Sequence, residues 1–292
     1  MIFRRLLCAV VASGLLASRA EAGPWTRDGG DFYLSTYYSR TATTTLYGSS
    51  TSKIPIAAFE QHSLNFYGEV GLLSRWLTAT LEGVLLRYNS LEDRGATYGL
   101  GDFRIGMWTG LLTKPLHLSL GVTFGLPLGD SSPKGKDADS NQIARILPTS
   151  DGEFDIEYRL SLGYAFGGGR KWPLRHYLIA EAGYWMRTKN LSDSFVYKLE
   201  LGVRLPWRVI ERLTASVHLT GVESFADNKD ATLSPTGLGN GVTYTALGAD
   251  FVIRVWRKLG IFAGVDGNLR GRSISDAVTL RTGISWGTSP IP

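Results

Sequence analysis

Two serine–histidine pairs suggest chemistry before any fold does. Ser216 lies two residues from His218, and His117 lies two residues from Ser119. A hydroxyl beside an imidazole is the start of a nucleophile–base pair for acyl transfer, provided a third group orients the ring. The sequence supplies no such set. His176 has no serine beside it, and the four histidines show no metal-ligand spacing. The run "DADSN" (137–141) has part of a calcium-loop pattern, but Gln142 stands where glycine is required and Pro148 occupies the twelfth position. "GLGDFRIG" (99–106) and "FGGGRK" (166–171) have the glycines of phosphate loops, yet neither opens a helix. No catalytic residue, metal or cofactor is assigned.

What these side chains can do depends on the elements that carry them, and those elements have a period of two. In 197–205, Tyr197, Leu199, Leu201, Val203 and Leu205 face one way, and Lys198, Glu200, Gly202 and Arg204 the other. The same alternation places Leu213, Ala215, Val217 and Leu219 opposite Thr214, Ser216, His218 and Thr220. Twelve such segments recur, at 31–41, 62–73, 77–90, 100–112, 116–128, 153–166, 176–188, 195–206, 212–225, 242–256, 259–271 and 277–287. The run "LLRYN" (85–89) breaks parity and predicts a bulge in the third segment. An even number of long amphipathic strands predicts an all-β transmembrane antiparallel up-and-down β-barrel of about 12 strands, with both termini at the periplasmic end. Connections after 41, 128 and 225 are long, at roughly 20, 24 and 16 residues, while others need about three, as barrels of this class have them.

The chain ends support export. Arg4 and Arg5, the apolar stretch "LLCAVVASGLLA" (6–17) and Ala20-Glu21-Ala22 predict a signal peptide over 1–22, with residues 23–292 as the barrel. Cleavage removes Cys8, the single cysteine, and with it disulfides and thiolate sites. The balance falls from 31 bases and 26 acids to 28 and 25, too even for a nucleic-acid partner. No apolar run after the signal is long enough for a membrane helix.

Six of the eight tryptophans fall at one rim. Trp76, Trp172, Trp207 and Trp256 sit in or beside short connections, and Trp25 and Trp286 flank the termini. That placement predicts an interfacial girdle, with the neighbouring Lys and Arg residues at lipid headgroups. The apolar faces then meet lipid and the polar faces a lumen. Inward acids are Glu69, Glu82, Asp102, Asp155, Glu157, Glu181, Glu200, Asp250 and Asp266, and inward bases are Arg104, Arg159, Arg187, Lys198, Arg204, Arg254, Arg270 and Arg281. This near balance suits either a salt-bridge lattice or a hydrated path without strong charge preference. Many inward glycines suggest free space and a slender channel. Ser216, His218, His117 and Ser119 also point inward, which disfavours a hydrolase of the outer-membrane phospholipase type, whose serine and histidine face lipid.

Three stretches, "GPWTRDGGDFYLSTYYS" (23–39), "GLGDFRIGMW" (99–108) and "LPTSDGEFDIEYRLSLGYAF" (147–166), resemble the MetA-pathway phenol-degradation family of outer-membrane proteins. The resemblance implies a porin-like transporter barrel, distantly similar to long-chain fatty-acid transporters, that takes up hydrophobic or aromatic small molecules. Only about eight residues, 23–30, precede the first strand, so no N-terminal plug is expected.

The sequence therefore predicts an outer-membrane protein of a Gram-negative bacterium. Its partners are outer-membrane lipids, the barrel assembly machinery and a small-molecule solute. The predicted activity is passive uptake, with a closed structural or surface-interaction barrel as the alternative. Arg104, Glu157, Arg159, Glu200, Arg204, Asp250 and Arg254 are the candidate solute-path residues. The loop 129–152 is long enough to fold into the mouth and constrict it. Deleting 133–145 should then raise solute permeation in a liposome-swelling assay, and an unchanged rate would remove that role from the loop.

Overall fold

The structure is a computed structural model. It describes residues 23–92, 95–132, 134–136, 143–145, 147–169, 172–205, 213–227, 231, 233–256 and 258–288. The signal expected over 1–22, Trp207 and the calcium-like run 137–141 lie outside these, as does the side chain of Trp172.

Sixteen strands follow in order: β1 (Phe32–Tyr47), β2 (Lys53–Leu73), β3 (Leu77–Leu91), β4 (Gly95–Gly99), β5 (Phe103–Thr113), β6 (Leu116–Leu126), β7 (Lys134–Lys136), β8 (Ile143–Arg145), β9 (Asp155–Gly169), β10 (Trp172–Arg187), β11 (Ser194–Arg204), β12 (Leu213–Ser224), β13 (Thr243–Trp256), β14 (Leu259–Arg272), β15 (Ile274–Ser275) and β16 (Val278–Gly287). Twelve of them form a continuous antiparallel ring, β1-β2-β3-β5-β6-β9-β10-β11-β12-β13-β14-β16. Ten register pairs between β1 and β16, from Tyr33↔Gly287 to Ala42↔Val278, close it. Closure leaves no unpaired edge, which hydrocarbon would not tolerate. β7 and β8 form a separate small hairpin in the loop before β9.

Two segments differ from the sequence reading. The loop expected after 41 is mostly strand: β1 runs on to Tyr47, β2 starts at Lys53, and Leu46↔Ile54 and Tyr47↔Lys53 stay in register. "TATTTLY" and "KIPIAAFEQ" are rich in β-branched residues, so the pairing persists beyond any lipid requirement. At 21 residues, β2 carries about 70 Å of extended chain, so the β1–β2 hairpin projects well past the bilayer. The expected strand 100–112 begins only at Phe103 as β5, and an unassigned strand, β4, precedes it across the break at Leu100–Asp102. There Val84 donates its N–H to the Asp102 carbonyl and accepts from Gly101. The bulge predicted in "LLRYN" is present: Leu64 pairs with Leu86 and Asn65 with Val84, leaving Leu85 as the extra residue.

The faces are inverted relative to a water-soluble protein. Leu201, Val217, Leu247 and Ile284 lie about half exposed on the outside, while Glu157, Glu181, Glu200 and Asp250 are buried inside. An apolar belt of this extent has its free-energy minimum in lipid. Trp76, Trp256 and Trp286 are exposed at the short-turn end, with Trp286 edge-on to Phe32 and Lys258 over the Phe32 ring. Trp25 departs from the girdle and lies inside.

The inward glycines do not leave free space. Several are seats for a large side chain from the next strand: a Cβ on Gly121 would strike the Trp108 indole, on Gly202 the Tyr177 ring and on Gly283 the Tyr37 Cβ. Twelve strands enclose too much space for uniformly medium side chains to pack, and pairing none with very large fills it. Gly202→Val should therefore lower the urea midpoint of the folded barrel by an amount equivalent to about 1–3 kcal/mol. The lipid-facing Leu201→Val should shift it far less.

Candidate functional site: the lumen

Inward polar residues from successive strands meet as a lattice of ion pairs. Arg104 on β5 reaches Asp155 at 2.9 Å and Glu157 at 3.0 Å on β9, with Glu82 of β3 at 3.8 Å. Arg159 spans Glu157 at 2.5 Å and Glu181 of β10 at 3.1 Å, and Ser161 donates to Glu181 at 2.7 Å. Lys198 of β11 holds Glu200 at 3.0 Å, and the Tyr177 hydroxyl donates to the same carboxylate at 2.7 Å. On the other side, Arg281 of β16 bridges Asp250 of β13 at 3.1 Å and Asp266 of β14 at 2.9 Å. Buried charges persist only when paired in this way.

His218 lies within that last cluster. Its Nδ1 is 2.8 Å from Asp250 and its Nε2 is 2.7 Å from Asp266. Both ring nitrogens face carboxylates, so the ring cannot take a proton from Ser216. His117 is likewise occupied, packed against the Trp25 ring at 5.7 Å, while Ser119 donates to the Gly23 carbonyl at 2.8 Å. Both serine–histidine pairs are thus structural elements of the lumen.

Above the lattice lies a cavity of about 520 Å³. Ser39, Thr41, Ser63, Asn65, Thr220 and Asn268 give it hydroxyls and amides, and Tyr37, Trp185 and Tyr244 give it aromatic surface. Its charged lining is Arg87, Arg104, Arg159, Lys198 and Arg281 against Glu157, Asp250 and Asp266, with His218 beside them. Of the residues the sequence singled out, Arg104, Glu157, Arg159 and Asp250 line this cavity. Glu200 lies in the adjoining lattice, and Arg204 and Arg254 lie near the short-turn ends of β11 and β13.

One feature escaped the sequence reading, and a second belongs to the loop 129–152 that it singled out. The first corrects the expectation that no plug precedes β1: residues 23–28 enter the barrel and cross its short-turn half. The Thr26 hydroxyl donates to the Arg75 carbonyl at 2.5 Å, the Arg27 N–H donates to Thr78 at 2.8 Å, and the Arg27 guanidinium pairs with buried Glu69. Trp25 meets Tyr177 edge-on at 5.9 Å. Three inward glycines make its bed, since a Cβ on Gly71 would strike Asp28, on Gly110 Thr26, and on Gly163 Pro24. A segment too short to be a domain is long enough, at about 3.3 Å per residue, to span much of the lumen. The glycine positions were readable in the sequence; their use as a bed was not.

The second feature is an arm over the opposite mouth, part of the loop expected to constrict it. Thr149 and Ser150 are buried, and their N–H groups donate to the Asp130 carbonyl at 2.9 and 3.2 Å. Arg87 donates to the Thr149 carbonyl at 2.8 Å and Asn89 to that of Pro148 at 2.7 Å. Arg187, at the end of β10, grips Asp151 at 2.6 Å and also pairs with Glu153. The Asp151 carboxylate accepts from the Gly239 N–H, the Glu153 carboxylate accepts from the Thr188 N–H, and Lys189 donates to the Gly152 carbonyl.

No family model matches the chain, and no curated protein matches it. Its fold is similar to that of the COG4313 outer membrane channel from Pseudomonas putida F1, at 13% identity over 92% of this chain and 100% of that one, with a TM-score of 0.58. It is also similar to the β domain of the Bordetella autotransporter BrkA, at 12% identity over 89% and 99%, with a TM-score of 0.50. The fold is that of an outer-membrane β-barrel. At these identities the likeness extends to fold alone.

The arm gives a pH dependence. Burial pushes Asp151 up to about 6 and Glu153 up to about 7, against the opposing pull of Arg187. Arg87 and Asp102 also act on Asp151, in opposite directions. Raised carboxylate values mean that the docked arm binds protons more tightly than a released one. Docking is then strongest below the ordinary carboxylate range and weakens as pH rises through about 6 to 7. Hydrogen exchange at the Thr149 and Ser150 amides, corrected for intrinsic rates, should show more protection at pH 5 than at pH 8. Glu153→Gln should flatten that difference.

Proposed function

We propose that this chain is a passive channel for small solutes in a Gram-negative outer membrane, reached through a cleaved export signal and barrel assembly. The observation that carries this reading is the polar cavity of about 520 Å³ inside a barrel whose outer surface suits lipid. A cavity of that size holds one small molecule. The likeness in fold to a protein described as an outer membrane channel supports the reading. Transport by this route needs no catalytic group; it needs polar partners that replace part of a solute's hydration and release it again.

The finer expectation, a hydrophobic or aromatic solute as in the phenol-degradation family, is narrowed by the lining. Tyr37, Tyr244 and Trp185 offer ring faces, but hydroxyls, amides and guanidiniums surround them. We take the solute to be an aromatic or amphipathic molecule bearing polar groups, with Arg104, Arg159, Glu157 and Asp250 along its path. Bare hydrocarbon would gain little here and would desolvate the lattice.

The strap at 23–28 and the ion-pair lattice favour a second reading, a closed structural barrel. Single-channel recording in planar bilayers separates the two. The native protein should give small conductance steps, and deletion of 24–28 should enlarge them several-fold. Deletion should be combined with Glu69→Gln, so that no buried carboxylate is stranded without Arg27. Two folded, inserted and silent proteins would establish the closed barrel.

A further inference from the structure

Apart from Arg87, which donates to the Thr149 carbonyl, the lumen cations of the wall and strap fall into two classes. Among the described residues, Arg27, Arg104, Arg159, Lys198 and Arg281 each hold at least one carboxylate. Among the described residues, Arg175, Arg204 and Arg254 hold none. Arg175 of β10 and Arg204 of β11 are register partners. Arg204 shares inward parity with Glu200, and Arg254 shares it with Asp250. The charges that act most on Arg204 are those of Arg254 and Arg175, and the next ionisable group is the Tyr177 hydroxyl, already committed to Glu200. Three guanidiniums thus stand together on the lumen side of the short-turn rim. They begin where the contacts of the strap end, since Tyr177 against Trp25 is two residues from Arg175.

Like charges grouped in a partly desolvated mouth repel one another and destabilise the empty state. In the lattice above, Arg104, Arg159 and Arg281 are each neutralised by carboxylates, and buried Arg87 is satisfied by the Thr149 carbonyl. We propose that Arg175, Arg204 and Arg254 form a binding site for an oxyanion, the carboxylate or phosphate group of a solute leaving the cavity. A guanidinium presents paired donors to such a group, and three around one mouth match a single multi-oxygen anion. The site deepens the channel reading and rests on it only for the word "leaving": it adds an acidic group to the aromatic or amphipathic solute.

The test uses binding, so it does not depend on conduction. Inorganic phosphate is titrated calorimetrically into the folded protein in nanodiscs of phosphatidylcholine, and again in nanodiscs containing phosphatidylglycerol. Saturable binding that weakens at least tenfold in Arg204→Gln and in Arg254→Gln, and is largely restored by Arg204→Lys, supports the proposal for a soluble anion. Binding present in the neutral nanodisc and abolished by phosphatidylglycerol assigns the same oxyanion chemistry to a lipid headgroup in competition with the solute. Absence of binding in phosphatidylcholine, or binding unchanged by the substitutions, overturns the site. A merely structural cluster would also lose stability in Arg204→Gln. The site predicts an unchanged or higher urea midpoint, because one of three like charges has gone. A silent bilayer recording beside positive binding would count against the channel and leave the site standing.

Discussion

Everything in this chain depends on the seam where β1 meets β16. A strand in hydrocarbon that leaves its N–H and C=O groups unpaired costs several kcal/mol per group, so the sheet either closes or does not span. The ten register pairs of the seam make the first and last strands neighbours, and that closure divides every strand into a lipid face and a lumen face. Leu201 and Glu200 are adjacent in sequence and lie in opposite media. Once the wall is fixed, the lumen polar groups have no bulk solvent to satisfy them fully, and they satisfy one another. The ion-pair lattice, the arginine-gripped arm and the strap all follow from that enclosure.

The wall was legible in the sequence because a strict period of two needs no tertiary information. "YKLELGVRL" assigns its own faces, and the extra residue in "LLRYN" announced itself by breaking parity. Strand ends were less legible. "TATTTLY" has too little amphipathic contrast to be read as strand, since threonines sit on both of its faces. The near balance of inward acids and bases suited a lattice, but it could not show which bases lacked acids. Arg159 and Arg204 look alike in sequence, and only cross-strand register separates them.

The lumen filling was misread for a physical reason. An inward glycine has two opposite meanings, open space or the seat of a neighbour's ring, and sequence parity cannot distinguish them. Gly202 becomes a seat because register sets Tyr177 across from it, and Gly163 becomes one because a segment remote in sequence lies over it. The same limit hid the strap. "GPWTRDGG" has no periodicity, and its order comes entirely from groups on other strands: Glu69, Thr78, Ser119 and Tyr177.

The anchors of that strap also bear on how the barrel comes to exist. Their order around the wall, β2, β3, β6, β9 and β10, is their order along the chain, and all precede the strands that complete the ring. A curved half-sheet made from these strands therefore already contains every partner that residues 23–28 require. The N-terminal segment can lie down on it as a template, joining strands such as β2 and β10 that share no hydrogen bonds with one another. In the finished barrel it lies inside the ring that the β1–β16 seam closes, as a keel lies inside its planking.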